Sequence, residues 1–244
     1  MPALLMDFRR RRIITAEGGS EARHWIAPPG STVKPFTLHA LLEARKIGSN
    51  EQFVCPGNLE IAGRSLACSH PRLGLPLRIP TALAYSCNCF VAHFAERFEP
   101  GELALRLGHA GFNGRLERTT AVEACRLQAI GEGHVLTTPY ELLLSYQRLA
   151  ALVQAAAMAP VLEGLEGAVE FGTAQLARVA GMRVAGKTGS VITSSGSPLA
   201  WFAGFAPAHA PEVVVAVAVH GYSGGADAAP IAGRILQKYA AGRR

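Results

Sequence analysis

Apolar and polar positions divide the chain into blocks of different character. Residues 3–8 (ALLMDF) and 13–16 (IITA) are short apolar runs separated by Arg9-Arg10-Arg11-Arg12, which predicts two strands joined by a charged turn. A loop containing Gly, Pro and Glu ends at Pro28-Pro29-Gly30. Helical spacing then starts at Ser31 and runs to about Lys46, with Val33, Leu38, Leu41, Leu42 and Ala44 available for burial, and Gly48 follows as a stop. Residues 51–77 are punctuated by Gly and Pro and predict loops with short extended pieces. Helical patterns return at about 79–97, 101–108, 120–129 and 138–157. The apolar-rich run from Leu142 to Leu162 is interrupted by Gln147, Arg148 and Gln154, so it reads as a core helix and not a membrane span. Residues 182–192, 199–206 and 212–220 read as strands, and a helix over about 225–241 closes the chain. Val213 to Val219 shows no polar alternation, which predicts a strand buried on both faces.

The order is strands, helices, strands, helix. It predicts an α+β fold, with one antiparallel sheet built from the N- and C-terminal strands, flanked by helices, and an inserted helical lobe. The 244 residues suit a single domain, 1–244, with a sheet lobe of about 1–30 and 180–244 and a helical lobe of about 31–179.

At 49% hydrophobic and 17% charged, the chain is globular and not disordered. The net charge of +6 is mostly solvated arginine. The arginine run has no interleaved aromatics and sits in a turn, so no nucleic-acid partner is expected. The first eight residues are too short an apolar stretch for a signal peptide, and no spanning helix is read. Five cysteines occur, at 55, 68, 87, 89 and 125, without a CxxC, and the histidines form no HExxH or HxxxH cluster. Zinc-type spacing is therefore absent, and no metal site is expected. Cys55 and Cys68 flank a candidate hairpin, Pro56 to Ala67. They would form a disulfide in an oxidising compartment or remain free thiols.

Only four lysines stand against twenty arginines, and two of the four fall inside short motifs. That matters because lysine can give up its proton at a catalytic position and arginine cannot. Ser31-Thr32-Val33-Lys34 reads SxxK. Its spacing puts a hydroxyl and an amine on one helix face about one turn apart. A desolvated lysine can take the serine proton, and a backbone N–H at the helix start can face a developing oxyanion. Ser86-Cys87-Asn88 reads SxN, a relay hydroxyl and an orienting amide, although Ser86 or Asn88 would serve equally as a helix N-cap. Lys187-Thr188-Gly189-Ser190 lies on a predicted strand. There a glycine permits close approach of a substrate backbone, Lys187 supplies positive charge for a substrate carboxylate and Ser190 N–H a second oxyanion donor. A single SxxK carries little weight, with roughly 0.2 matches expected by chance in this composition. The three in this order, on a helix start, in a helical lobe and on a returning strand, would converge on one cleft.

In these segments the chain resembles the transpeptidase domain of penicillin-binding proteins, within the serine β-lactamase-like superfamily. Pro29 to Phe36 looks like that family's nucleophile segment and Tyr85 to Asn88 like its second motif. Ala129 to Gly133 with Thr138-Pro139 is similar to its GQG…TP loop, and Gly172-Thr173-Ala174 with Val184 to Gly189 resembles the approach to its third motif. Trp201 to Pro207 looks like the strand that follows. The resemblance implies a D,D-transpeptidase that joins peptidoglycan stem peptides ending in D-Ala-D-Ala. Ser31 would be the nucleophile and Lys34 the acylation base. Ser86 with Asn88 would be the proton relay, Lys187, Thr188 and Ser190 would hold the terminal carboxylate beside Gly189, and the N–H groups of Ser31 and Ser190 would form the oxyanion hole. It implies acylation by β-lactams, no metal or organic cofactor, other cell-wall synthesis proteins as partners, and work on the outer, periplasmic face of the membrane. Membrane association would come only through an anchor or partner outside this chain.

Two other classes share these features. A β-lactamase, or a D,D-carboxypeptidase, differs in passing the acyl group to water. Here Cys87 stands where class A β-lactamases carry the aspartate of SDN, and Glu163, Glu166 and Glu170 fall just before the third motif. A non-catalytic β-lactam sensor or scaffold would keep the fold with a silent site, which the intact motif residues argue against.

Overall fold

In a computed structural model, which describes residues 1–72, 74–112 and 115–242, the arginine run forms the predicted turn. The Asp7 carboxylate accepts the Arg10 N–H at 2.7 Å and Arg11 takes φ 53°, so β1 (Ala3–Asp7) and β2 (Ile13–Glu17) pair antiparallel. There follow α1 (Glu21–His24), a 3₁₀ turn (Gly30–Val33), α2 (Lys34–Glu43), a hairpin of β3 (Asn58–Ile61) and β4 (Arg64–Ala67), α3 (Ile79–Ala84), α4 (Asn88–Ala95) and α5 (Glu102–Ala110). Next come β5 (Arg115–Leu116), α6 (Val122–Ile130), β6 (Val135–Leu136), α7 (Pro139–Leu152) and α8 (Ala159–Glu170). The chain ends with β7 (Ala185–Ile192), β8 (Pro198–Ala206), β9 (Val213–His220) and α9 (Ala229–Ala241).

The main sheet has the order β2-β1-β9-β8-β7 and is antiparallel throughout. The α+β expectation, with terminal strands meeting in one sheet, is what the chain adopts. Alternate residues of the sheet enter two cores. Met6, Trp201, Phe205, Val214 and Ala216 pack with Leu142, Tyr146 and Leu149 of α7 on one face. Leu5, Phe202, Val213, Val215 and Val217 pack with Ala232 and Leu236 of α9 on the other. From Val213 to Ala218 no residue of β9 is exposed, which explains its unbroken apolar sequence. Each fully buried valine there contributes about 1.5–3 kcal/mol.

Several helices differ from the expectation. The helix expected from Ser31 begins as a 3₁₀ turn and becomes α-helical at Lys34, because Pro35 is compatible only with the first helical turn. The helix expected over 79–97 is two helices. Ser86 takes φ 60° between them, and Cys87 Sγ caps α4 by accepting the Phe90 N–H. The Leu142–Leu162 run is not one helix. It breaks after Leu152, and Pro160 sits in the first turn of α8. The strand expected from 182 starts at Ala185. The last helix starts at Ala229, after a single π-helical turn. Sequence reasoning assigned no separate helix to Ala159–Glu170. Its Gly164 and Gly167 weaken helix propensity, yet they bring α8 against α3. A β-carbon on Gly164 would lie 2.7 Å from Leu83 Cβ, and one on Gly167 3.2 Å from Ala84 Cβ.

Candidate active site

The turn that carries Ser31 is held from several sides. Thr32 Oγ1 donates to Pro29 O at 2.7 Å, the buried Tyr146 hydroxyl donates to Thr32 O at 2.9 Å, and Trp201 Nε1 donates to Pro28 O at 3.0 Å. Gly30 takes φ 53° and donates its N–H to Gly131 O at 3.2 Å. A β-carbon on Gly131 would fall 2.1 Å from Gly30 O, so the 131–133 loop closes directly on the turn. Ser31 is left half-buried, lining a cleft of ≈ 500 Å³ with Ser86, Asn88, Glu132, Thr173, Thr188 and Ser190.

From the start of α2 the fully buried Lys34 reaches Ser86 and Asn88, which line that cleft, without lining it itself. Its Nζ donates to Ser86 O at 2.7 Å, Ser86 Oγ at 3.2 Å and Asn88 Oδ1 at 2.5 Å. The break at Ser86 makes this geometry. The left-handed residue turns both its carbonyl and its hydroxyl toward the amine, and Asn88 follows at the head of α4. Burial lowers Lys34 to about 8. An amine of that kind is deprotonated often enough near neutrality to act as a base.

The third motif lies on β7, at the edge of the sheet. Thr188 Oγ1 donates to Thr173 Oγ1 at 2.8 Å, and Gly224 N–H donates to Ser190 Oγ at 2.9 Å. Lys187 is fully buried behind this surface, donates to Thr188 O at 3.1 Å and does not line the cleft. Its burial, then the Lys34 charge, push its amine well below the ordinary lysine range. Gly189 is close-packed: a β-carbon there would lie 2.8 Å from Pro29 O and 3.1 Å from Thr32 Cγ2. The glycine therefore seats the Ser31 turn against the strand. A β-carbon on Gly30 would be 3.4 Å from Ser190 N, so the Ser190 backbone lies beside that same turn.

The fold thus brings Ser31, Ser86, Asn88, Thr188, Gly189 and Ser190 to one cleft, with Lys34 and Lys187 beneath it. Thr173, Glu132 and the 222–225 loop, with Tyr222 and Ser223, also line it, and sequence reasoning gave them no role. Thr173 and Glu132 lay inside the resembling segments, which was the available signal. The 222–225 loop carried none. Glu132 pairs with Arg64 at 3.1 Å. Glu163, Glu166 and Glu170 do not line the cleft, and Glu166 pairs with Arg183 at 2.7 Å and His209 at 3.2 Å. Cys55 and Cys68 are free thiols with sulfurs 3.8 Å apart. Among the described residues, no helix is long and apolar enough to cross a membrane.

Known proteins match this architecture. Stage V sporulation protein D of Bacillus subtilis (strain 168) is 28% identical over 267 residues, covering 86% of this chain and 41% of that protein's length. A peptidoglycan glycosyltransferase from Burkholderia ambifaria has the same fold at a TM-score of 0.86 and 20% identity, over 99% of this chain and 89% of that one. PBP2 of Pseudomonas aeruginosa, solved in complex with WCK 5153, gives 0.82 and 17% over 98% of this chain and 70% of that one. The family model described as "Penicillin binding protein transpeptidase domain" matches residues 19–237, and the chain belongs to that family.

Proposed function

We propose that the chain is a serine D,D-transpeptidase acting on peptidoglycan stem peptides that end in D-Ala-D-Ala. Neutral Lys34 takes the Ser31 Oγ proton as that oxygen attacks the carbonyl of the penultimate D-Ala. The N–H groups of Ser31 and Ser190 stabilise the oxyanion. The amide C–N bond breaks, and the proton passes from Lys34 through Ser86 Oγ to the departing D-Ala nitrogen, leaving an acyl-serine. A second stem's amine then attacks the ester. Its proton returns along the same relay, and Ser31 leaves as the free hydroxyl. Asn88 holds the Lys34 amine and the donor backbone. Thr188 and Ser190, with Thr173 beside them, bind the terminal carboxylate, and buried Lys187 steadies that strand from behind by donating to the Thr188 carbonyl. β-Lactams acylate Ser31 as mimics of the same peptide, and the work is done outside the cytoplasmic membrane with other wall-synthesis proteins.

The observation that carries this reading is the buried Lys34 amine, shared by Ser86 and Asn88, which line the same cleft as Ser31. The test is mass spectrometry after exposure to benzylpenicillin, with Ser31→Ala in parallel. A lasting adduct on the Ser31 peptide, absent from the variant, is the expected result. Loss of penicillin without an adduct would mean a β-lactamase, and neither adduct nor loss would mean a silent site. Release of D-Ala without a cross-linked product would mean a carboxypeptidase.

A further inference from the structure

Four sulfurs converge beside the second motif, although their sequence spacing resembles no metal site. Cys55 and Cys68 flank the β3–β4 hairpin, and Cys87 and Cys89 flank Asn88. Cys68 Sγ lies 3.8 Å from Cys55 Sγ, 3.8 Å from Cys87 Sγ and 3.5 Å from Cys89 Sγ. His70 joins them: ligand atoms of Cys55, Cys68, His70 and Cys87 all lie within 4.8 Å of one another. Thiolates placed tetrahedrally at about 2.3 Å from a zinc ion stand about 3.8 Å apart.

The imidazole supplies the second observation. His70 Nδ1 is 2.8 Å from Pro71 O, an arrangement in which a protonated Nδ1 donates and Nε2 carries the free lone pair. That Nε2 is buried without a hydrogen-bond partner among the described residues. A buried imidazole nitrogen left so is costly unless something binds it. Backbone N–H groups support the sulfurs. Gly57 donates to Cys55 Sγ at 3.3 Å and Phe90 to Cys87 Sγ at 3.4 Å, the outer contacts that orient metal-bound ligands.

We propose that Cys55, Cys68, His70 and Cys87 bind one zinc ion, which clamps the hairpin to the Ser86–Asn88 turn. Three thiolates and one imidazole suit zinc and not a hard cation such as calcium or magnesium. A disulfide between Cys68 and a neighbour would use two sulfurs and leave His70 Nε2 without a partner. The ion lies one residue from Ser86 and from Asn88, so it is a positioning element for the two groups that hold Lys34, and it touches no reacting atom. This positioning role rests on the reading of Ser86 and Asn88 given above; the coordination itself does not.

The test is cobalt titration of the reduced, chelator-stripped chain. One equivalent should give the thiolate charge-transfer and d–d bands of a tetrahedral site, be displaced by one equivalent of zinc, and release protons as thiols become thiolates. Cys68→Ser and His70→Ala should weaken binding by at least about 10–100-fold, and Cys125→Ser should leave it unchanged. Absence of thiolate bands while all five thiols remain titratable would overturn the proposal. Undiminished bands in Cys68→Ser would overturn it too, as would a Cys68 disulfide that resists reduction and blocks uptake. Should the variants not fold, wild-type stoichiometry and a zinc-dependent rise in Tm still decide. Metal binding is read without acyl transfer, so its failure leaves the role of Ser31 standing, and a silent Ser31 leaves the metal site standing.

Discussion

The two walls of the cleft are built by different physics. The wall on β7 is one strand in a five-stranded sheet, paired with β8 from Ala185↔Phe205 to Ile192↔Pro198. The Ser31 turn packs on it so closely that Gly189 admits no β-carbon. The opposite wall, residues 85–88, belongs to no ladder. It is a helix break held by the Lys34 amine, the Cys87 cap and the thiols beneath it. The first wall should therefore fail when something is added. The second should fail when a single group is taken away.

The largest effect is expected at Lys34, where the walls meet. Lys34→Met removes the proposed base and the donor that ties three oxygens of the second wall together. Acylation of Ser31 by a β-lactam should fall by about 10²–10⁴ in stopped-flow measurements. In the proposed mechanism the reacting form is the neutral amine. With Lys34 held near 8, acylation should rise with pH up to that value, about tenfold per unit, and level off above it. A pH-independent rate across that range would remove Lys34 as the base.

Gly189→Ala addresses the first wall. The added methyl meets Pro29 O at 2.8 Å and must displace the Ser31 turn or the strand. Denaturant unfolding should show a loss of about 1–3 kcal/mol, with slower acylation because the nucleophile is moved. An unchanged midpoint would mean that the turn is not seated on the strand, and the contrast between the walls would lose its basis.

Sequence legibility follows the same division. The sheet was readable because its determinants are local. β9 is apolar at every buried position, the arginine run can only be a turn, and the three motifs are short words of four residues or fewer. The second wall was harder to read. Ser86 takes φ 60° with no glycine to announce it, so 79–97 looked like one helix. Helix α8 was hidden by Pro160, Gly164 and Gly167, whose purpose is close packing on α3 and exists only in three dimensions. From sequence Gly189 offers room for a substrate backbone, whereas its space faces Pro29 and Thr32 of the same chain. Nor did the spacings of 13 and 19 residues between Cys55, Cys68 and Cys87 suggest a cluster, because the hairpin must first fold onto the turn.

The smallest expected effect gives the finest test of the second wall. Ser86 holds a left-handed conformation that costs a non-glycine residue about 1–2 kcal/mol, and its carbonyl and hydroxyl both serve Lys34. Ser86→Gly and Ser86→Ala both lose the hydroxyl and should slow acylation alike, since the proposed relay oxygen is gone from each. They differ only in backbone preference, because glycine enters the left-handed region freely and alanine does not. The glycine variant should therefore be more stable than the alanine variant by about 1 kcal/mol in paired denaturant titrations. Equal stabilities would mean that the turn relaxes when the hydroxyl is removed. In that case the hydroxyl–amine contact, and not the packing around Cys87, would be what holds Ser86 in its strained conformation.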